Sequence, residues 1–331
     1  MANGKLPIVL MAQDLPAEWI ASLEGKVQLF KAPAGTAGVG GPLLPYLPAA
    51  EGLLSMLTMP VDQKLLARMP VLRVVSNMAV GVNNIDLDAC TARGIPVGHT
   101  PGLLTDACAD LTLALLLVVG RGLPTAARMA REGQWHTWRP TQWLGSDFRG
   151  KRLGIVGMGR IGEGVAERAK AFGMEIVYYN RSQNEEAEKR LGGAAYLTLD
   201  ELLATSDFVS LHTPLTDETH HLIDERRLRQ MQSHAVLINL ARGPVVDTAA
   251  LLQALREGWI GAAGPDVTDP EPLTPDHPLD GLDNCYIVPH IGSATHQARR
   301  GMAELACENL LKGLAGERLT YTANPAVYER E

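Results

Sequence analysis

Short apolar runs alternate with segments of helical periodicity along almost the whole chain. Leu6–Met11 has the look of a strand and Ala17–Leu23 of a helix. Gly52–Leu57 and Val71–Ser76 are apolar and strand-like, separated by a helical Asp62–Arg68. Asp86–Arg93 is helical and ends at Gly94; Pro96–His99 extends beyond it, and a long helix follows from Thr105 to Gly120. This alternation is the mark of a parallel sheet with crossover helices. A second alternation starts at Leu153. Strands are expected at Glu175–Tyr179, Phe208–His212, Ala235–Asn239, Gly261–Val267 and Cys285–Val288. Helices are expected at Thr198–Ala204, Glu225–Met231, Thr248–Glu257 and Thr295–Leu314. The pattern predicts an α/β protein of two Rossmann-like or flavodoxin-like domains with parallel sheets and a cleft between them. One domain would comprise residues 1–101 with 294–331, the other residues 102–293.

Two stretches break the pattern. Ala34–Pro48 is rich in Gly, Pro and Ala but lacks the G-K-[ST] ending of a phosphate loop, so a weakly ordered surface loop is expected. Arg131–Phe148 holds Trp135, Trp138 and Trp143, three of the five tryptophans. Either it forms a subunit interface, where tryptophan is enriched, or it folds back on its own domain. The first alternative makes 123–149 a dimerisation segment and the protein a homodimer.

The strongest local signal is Gly157-Met158-Gly159-Arg160-Ile161-Gly162, which follows a short buried strand and opens a helix. In that context G-x-G-x-x-G binds a dinucleotide. Gly157 permits the turn, Gly159 lets the pyrophosphate approach, and Gly162 packs helix on strand. The helix N-terminus offers N–H groups to phosphate. The next strand ends in Tyr179-Asn180-Arg181-Ser182. NAD enzymes usually carry Asp or Glu where Asn180 stands, to bind the ribose hydroxyls. An amide followed by a cation and a hydroxyl predicts NADP(H) over NAD(H), with NAD(H) use still open.

Three polar residues stand at or just beyond strand ends, where open α/β sheets hold ligands. They are Arg242 in Asn239-Leu240-Ala241-Arg242-Gly243, Glu271 between Pro270 and Pro272, and His290 before Ile291-Gly292-Ser293. Each has a bland alternative: a cap partner, a solvated loop residue and a strand-end histidine. Together they suit reduction of a 2-keto acid. Arginine grips a carboxylate with two parallel bonds, histidine donates a proton near neutral pH, and a neighbouring carboxylate orients it.

Composition sets outer limits. A chain of 331 residues suggests two domains, and 46% hydrophobic with 20% charged residues suits a soluble enzyme with a sizeable core. A formal net charge of −7 argues against a general nucleic-acid binder. Cys90, Cys108, Cys285 and Cys307 show no C-x-x-C spacing and are expected to be reduced thiols. No metal-ligand spacing stands out. Met1-Ala2-Asn3-Gly4-Lys5 has no signal-peptide character, and the longest apolar run, Leu111–Val119, is too short to span a bilayer. A cytoplasmic protein without a membrane partner is expected.

With these motifs in order, the chain resembles the D-isomer-specific 2-hydroxyacid dehydrogenase family. The glycine motif, Leu211-His212-Thr213-Pro214-Leu215-Thr216, Asn239–Gly243, Asp266–Pro272 and Pro289–Thr295 carry the resemblance over nearly the whole chain. Within the family it is most similar to glyoxylate/hydroxypyruvate reductases, with His277-Pro278-Leu279 and the Trp135/Trp138 pair adding to the likeness. The resemblance implies Arg242 on the substrate carboxylate and carbonyl, His290 as general acid, and Glu271 as its partner. It implies backbone contacts from Val80 and Gly81 to the carboxylate, with Ser293 and Trp138 at the substrate, Trp138 reaching from a neighbouring subunit. It puts Thr105, Arg160, Ile161, Thr213, Pro214, Leu240 and Asp266 on the cofactor, Asp266 at the nicotinamide carboxamide. Phosphoglycerate, formate or phosphite dehydrogenase-like enzymes, and a nucleotide-sensing corepressor on the same scaffold, remain alternatives. Two positions depart from the family pattern. Pro265 stands where leucine is usual and could displace Asp266 or be absorbed at a strand end. Asn83 stands where many relatives have Asp, with no evident consequence.

Overall fold

The computed structural model describes residues 5–329, so Met1-Ala2-Asn3-Gly4, on which part of the signal-peptide reading rests, and Arg330-Glu331 lie outside it. The chain divides into two units, 1–104 with 295–331, and 105–294.

The first unit has five parallel strands: β1 (Ile8–Met11), β2 (Gln28–Lys31), β3 (Gly52–Ser55), β4 (Val74–Asn77) and β5 (Val97–Gly98). Their order is β2-β1-β3-β4-β5, the flavodoxin-like arrangement. All four residues of β1, β3 and β4 are buried, as expected of strands covered on both faces. Helices α1 (Gln63–Ala67) and α2 (Leu87–Ala92) start at Asp62 and Asp86, each of whose carboxylates accepts an N–H of the first turn.

The second unit opens with α3 (Thr105–Gly120) and α4 (Leu123–Arg131). Its strands are β6 (Arg152–Val156), β7 (Glu175–Tyr179), β8 (Ala195–Tyr196), β9 (Phe208–Leu211), β10 (Val236–Asn239) and β11 (Ala262–Pro265). They are ordered β11-β10-β9-β6-β7-β8, all parallel. Counted from β6, that is the Rossmann order 3-2-1-4-5-6, and its reversal lies between β6 and β9. Helices α5 (Arg160–Ala171), α6 (Glu185–Leu191), α7 (Leu199–Thr205), α8 (Glu225–Gln230) and α9 (Thr248–Glu257) make the crossovers. The last helix, α10 (His296–Ala315), belongs to the first unit and packs on β3 and β4. A Cβ at Gly313 would fall 2.5 Å from Val74, so glycine sets that approach.

Several elements differ from the pattern-based expectation. Ala17–Leu23 is two 3-10 turns broken at Ile20, because only Ile20 and Leu23 have a core to face. Edge strand β2 was hidden by its polar ends, Gln28 and Lys31. Ala34–Pro48 is not all loop: Gly41–Ala49 forms a 3-10 helix that buries Leu43 and Leu47. Cys285–Val288 is not a strand. It runs beside β11 with Tyr286 N–H on Ala263 O and Val288 N–H on Pro265 O. Pro265 has no N–H to return the next bond, so pairing stops at the single Ala263–Cys285 bridge. No single helix among the described residues is long and apolar enough to cross a membrane.

The carboxylate of Asp207 anchors the start of β6, accepting from Arg152 N–H (2.9 Å) and Lys151 Nζ (2.9 Å) and lying 2.8 Å from His234 Nε2. Burial alone would raise it; these donors outweigh burial and hold it at about 2. Its contribution is therefore complete above the unfolded value of ~4 and is lost as pH falls through about 2. Asp207→Asn should cost about 1 kcal/mol at neutral pH after solvent screening. The difference from wild type should shrink steadily as urea titrations are taken from about pH 5 down towards pH 2.

Candidate active site

Gly157 leaves β6 at φ +103°, and a Cβ there would sit 2.8 Å from the His212 carbonyl carbon, just past β9. The glycine turn thus lies at the strand-order reversal, pressed against the neighbouring strand end. Gly159 begins α5 in extended backbone (φ −94°, ψ −165°), and a Cβ there would meet nothing within 4 Å. Gly162 is buried, and its Cβ would collide with Gly157 O. No side chain caps α5, so its first-turn N–H groups, including those of Arg160 and Ile161, face the open side of Gly159. This cradle fits a dinucleotide pyrophosphate, which Gly159 and the α5 N-terminus would hold. Gly159→Ala should fold with wild-type thermal stability yet bind a reduced nicotinamide dinucleotide at least tenfold more weakly by fluorescence titration. Gly162→Ala should lose stability itself, by roughly 1–3 kcal/mol of overpacking.

Asn180 does not point away from this turn. Its Oδ1 accepts Met158 N–H at 2.7 Å, while Asn184 Nδ2 donates to Met158 O at 3.1 Å. The residue expected to address the ribose therefore braces the glycine loop. Arg181 and Ser182 beyond it are exposed. Sequence reasoning missed the support behind them. Tyr178 OH donates to Glu188 Oε1 (2.7 Å) and accepts Asn184 N–H (2.8 Å). Burial, then the Glu188 bond, push the phenol up to about 12. A tyrosine inside an aliphatic buried strand was the available signal. Past β9, Thr213 Oγ1 and His212 Nδ1 are buried and find no hydrogen-bond partner among the described residues, while His212 Nε2 lies 2.8 Å from Ser210 Oγ. Burial pushes His212 down to about 4, so its ring is neutral. Pro214 is exposed, Leu240 half-buried, and Thr105 opens α3 close to Gly164 of α5.

The three polar residues stand beyond the β10 and β11 ends. Buried Asn239 accepts Ala241 N–H (3.0 Å) and donates to Arg242 O (3.0 Å), which fixes the backbone that carries Arg242. Burial lowers the half-buried Arg242 guanidinium and the nearby Glu271 carboxylate opposes that, so the group remains cationic. Glu271 sits in a loop tied to α9 by the bond from Thr248 Oγ1 to Asp269 O (3.0 Å). Its Oε1 is 2.5 Å from His290 Nδ1. Since an ionised carboxylate only accepts, Nδ1 bears the hydrogen of that bond.

His290 is left-handed, at φ +53°. Asp266, buried at 2% exposure, holds it there: its backbone O accepts His290 N–H (2.9 Å), and its carboxylate accepts Ile291 N–H (2.6 Å) and Gly292 N–H (2.8 Å). Burial raises the Asp266 carboxyl against the pull of those donors. Pro265 does not displace it. Proline closes edge strand β11, and Asp266 N–H still reaches Asn239 O at 2.9 Å. Ser293 is buried two residues beyond Ile291, and Cys108 of α3 lies below Gly292. Val80 and Gly81 lie in the first unit, in the loop after β4, with Asn83 exposed beside them. Trp138 and Trp135 are 78% and 62% exposed, in a segment without regular structure.

Residues 113–292 match the model of the D-isomer specific 2-hydroxyacid dehydrogenase NAD binding domain. The chain is 46% identical to a glyoxylate reductase of Thermococcus litoralis, over 94% of this chain and 95% of the other. A crystal structure of a Thermus thermophilus protein superposes with a TM-score of 0.87 at 45% identity, covering 96% of this chain and 99% of that one. An NADPH-dependent glyoxylate/hydroxypyruvate reductase of Sinorhizobium meliloti, solved with NADP and malonate, superposes at 0.84 with 30% identity over 96% and 98%. Sequence motifs, strand order and these likenesses agree: the chain belongs to the D-isomer-specific 2-hydroxyacid dehydrogenase family, oxidoreductases that work with a nicotinamide cofactor.

Proposed function

We propose that this protein is an NADPH-dependent reductase of small 2-keto acids, converting glyoxylate to glycolate and hydroxypyruvate to D-glycerate. The observation that carries this reading is the 2.5 Å pair between Glu271 and His290 in a chain with the dinucleotide cradle. When bound at the glycine cradle, a reduced nicotinamide would supply the hydride. His290 gives the Nε2 proton to the carbonyl oxygen, and Glu271 keeps the ring oriented through Nδ1. Arg242 grips the substrate carboxylate and polarises the carbonyl. The names of the Thermococcus and Sinorhizobium relatives support the substrate class.

The preference for NADPH rests on Arg181 and Ser182, exposed beyond a turn that Asn180 and Tyr178 hold in shape. A guanidinium on the 2′-phosphate forms a charge-assisted bond worth roughly 1.5–3 kcal/mol. The kcat/KM ratio of NADPH to NADH should exceed one, and Arg181→Ala should lower that ratio ~10–100-fold while leaving NADH kinetics near wild type. A wild-type ratio at or below one would refute the preference. We further propose a cytoplasmic homodimer joined through 123–149, where Trp135, Trp138 and Leu144 present apolar surface.

A further inference from the structure

The loop after β4 is held in an unusual way. Three consecutive carbonyls are tied back into the first unit by three different donors. Thr100 N–H reaches Ala79 O at 2.8 Å. His99 Nδ1 reaches Val80 O at 3.0 Å, and Asn77 Nδ2 reaches Gly81 O at 3.1 Å. A carbonyl oxygen only accepts, so His99 Nδ1 must carry the hydrogen. Two of these donors, His99 and Asn77, are themselves anchored. Asn309 Nδ2 donates to His99 O (3.1 Å), the His99 ring meets Tyr321 edge-on at 6.3 Å, and buried Asn77 accepts the Ser55 hydroxyl at 3.0 Å.

A trans peptide is planar, and its C=O and N–H point in opposite directions. Tying back the carbonyls of Ala79, Val80 and Gly81 therefore turns the N–H groups of Val80, Gly81 and Val82 the other way. Among the described residues, none of those three N–H groups has a hydrogen-bond acceptor. Successive N–H groups aimed to one side make a concave anion site. We propose that His99 is a positioning residue for substrate: by holding Val80 O, it aims the Gly81 N–H at the keto-acid carboxylate, with Asn77 and Thr100 fixing the peptides on either side. The inference rests on the proposed 2-keto acid reduction and identifies what orients the carboxylate-binding backbone.

The test compares two variants with opposite donor capacity. His99→Phe keeps a ring against Tyr321 but has no donor; His99→Asn keeps an N–H close to the Nδ1 position. His99→Phe should raise the KM for glyoxylate about tenfold, and the inhibition constant of oxamate as much. Its kcat, its KM for NADPH and its melting temperature should stay near wild type. His99→Asn should restore the glyoxylate KM to within about threefold of wild type. Should His99→Phe fail to fold, His99→Leu makes the same comparison. A glyoxylate KM within twofold of wild type in the donorless variant overturns the proposal, as does an equal loss in His99→Asn. A wild-type protein that turns over no 2-keto acid would instead sink the underlying reading, and this inference with it.

Discussion

Replacing His290 with alanine should lower kcat for glyoxylate reduction by roughly 10²–10⁴-fold, the range for removal of a general acid, while the NADPH dissociation constant stays within about twofold. The geometry leaves little to replace the ring. Glu271 faces His290 Nδ1, and the Asp266 carboxylate is engaged by two backbone N–H groups. Alanine also has to adopt the left-handed backbone at φ +53°, which disfavours it by roughly 1 kcal/mol. His290→Asn separates the two effects, because asparagine tolerates that conformation yet delivers no proton. Both variants should show the same collapse of kcat, with His290→Asn the more stable on heating. Near-wild-type turnover in either would remove His290 from the chemistry.

Arg242→Lys should be the next most damaging change, lowering kcat/KM for glyoxylate about 100-fold with NADPH binding retained. A guanidinium offers parallel N–H donors in a fixed fork that matches a carboxylate; an ammonium is a point charge on a flexible stem. Burial already bears on the Arg242 guanidinium, and a lysine there would be driven further toward its neutral form. The loss should appear in both KM and kcat, since under the proposed mechanism the same group would hold the carboxylate and polarise the carbonyl. A change in KM alone would confine Arg242 to binding.

Much of this was legible in the chain itself, because the signals were local. The glycine spacing predicts a turn, an open face and a close helix approach, and Gly157, Gly159 and Gly162 take those roles in turn. Buried strands such as β6 and β10 contain apolar runs, Leu153–Val156 and Val236–Ile238, and capped helices such as α9 are bounded by Asp247 and Gly258. What was hidden depends on tertiary partners. That Asn180 faces Met158 rather than outward follows from the path of a loop 22 residues earlier. The failure of Cys285–Val288 to pair as a strand follows from a proline on its neighbour. The buried Asp266 carboxylate clamps the backbone after His290, a role that no spacing along the chain announces. His99 likewise looked like an ordinary strand-end residue until the fold set its ring against Val80 O.

The most direct test of the central claim is to follow NADPH oxidation by the purified protein with glyoxylate, hydroxypyruvate, pyruvate and phosphohydroxypyruvate in turn. The account predicts oxidation with glyoxylate and hydroxypyruvate, one glycolate or D-glycerate formed per NADPH consumed, and loss of both signals in His290→Ala. NADPH that binds but is not oxidised with any of the four acids would contradict it and assign the chain to nucleotide sensing instead.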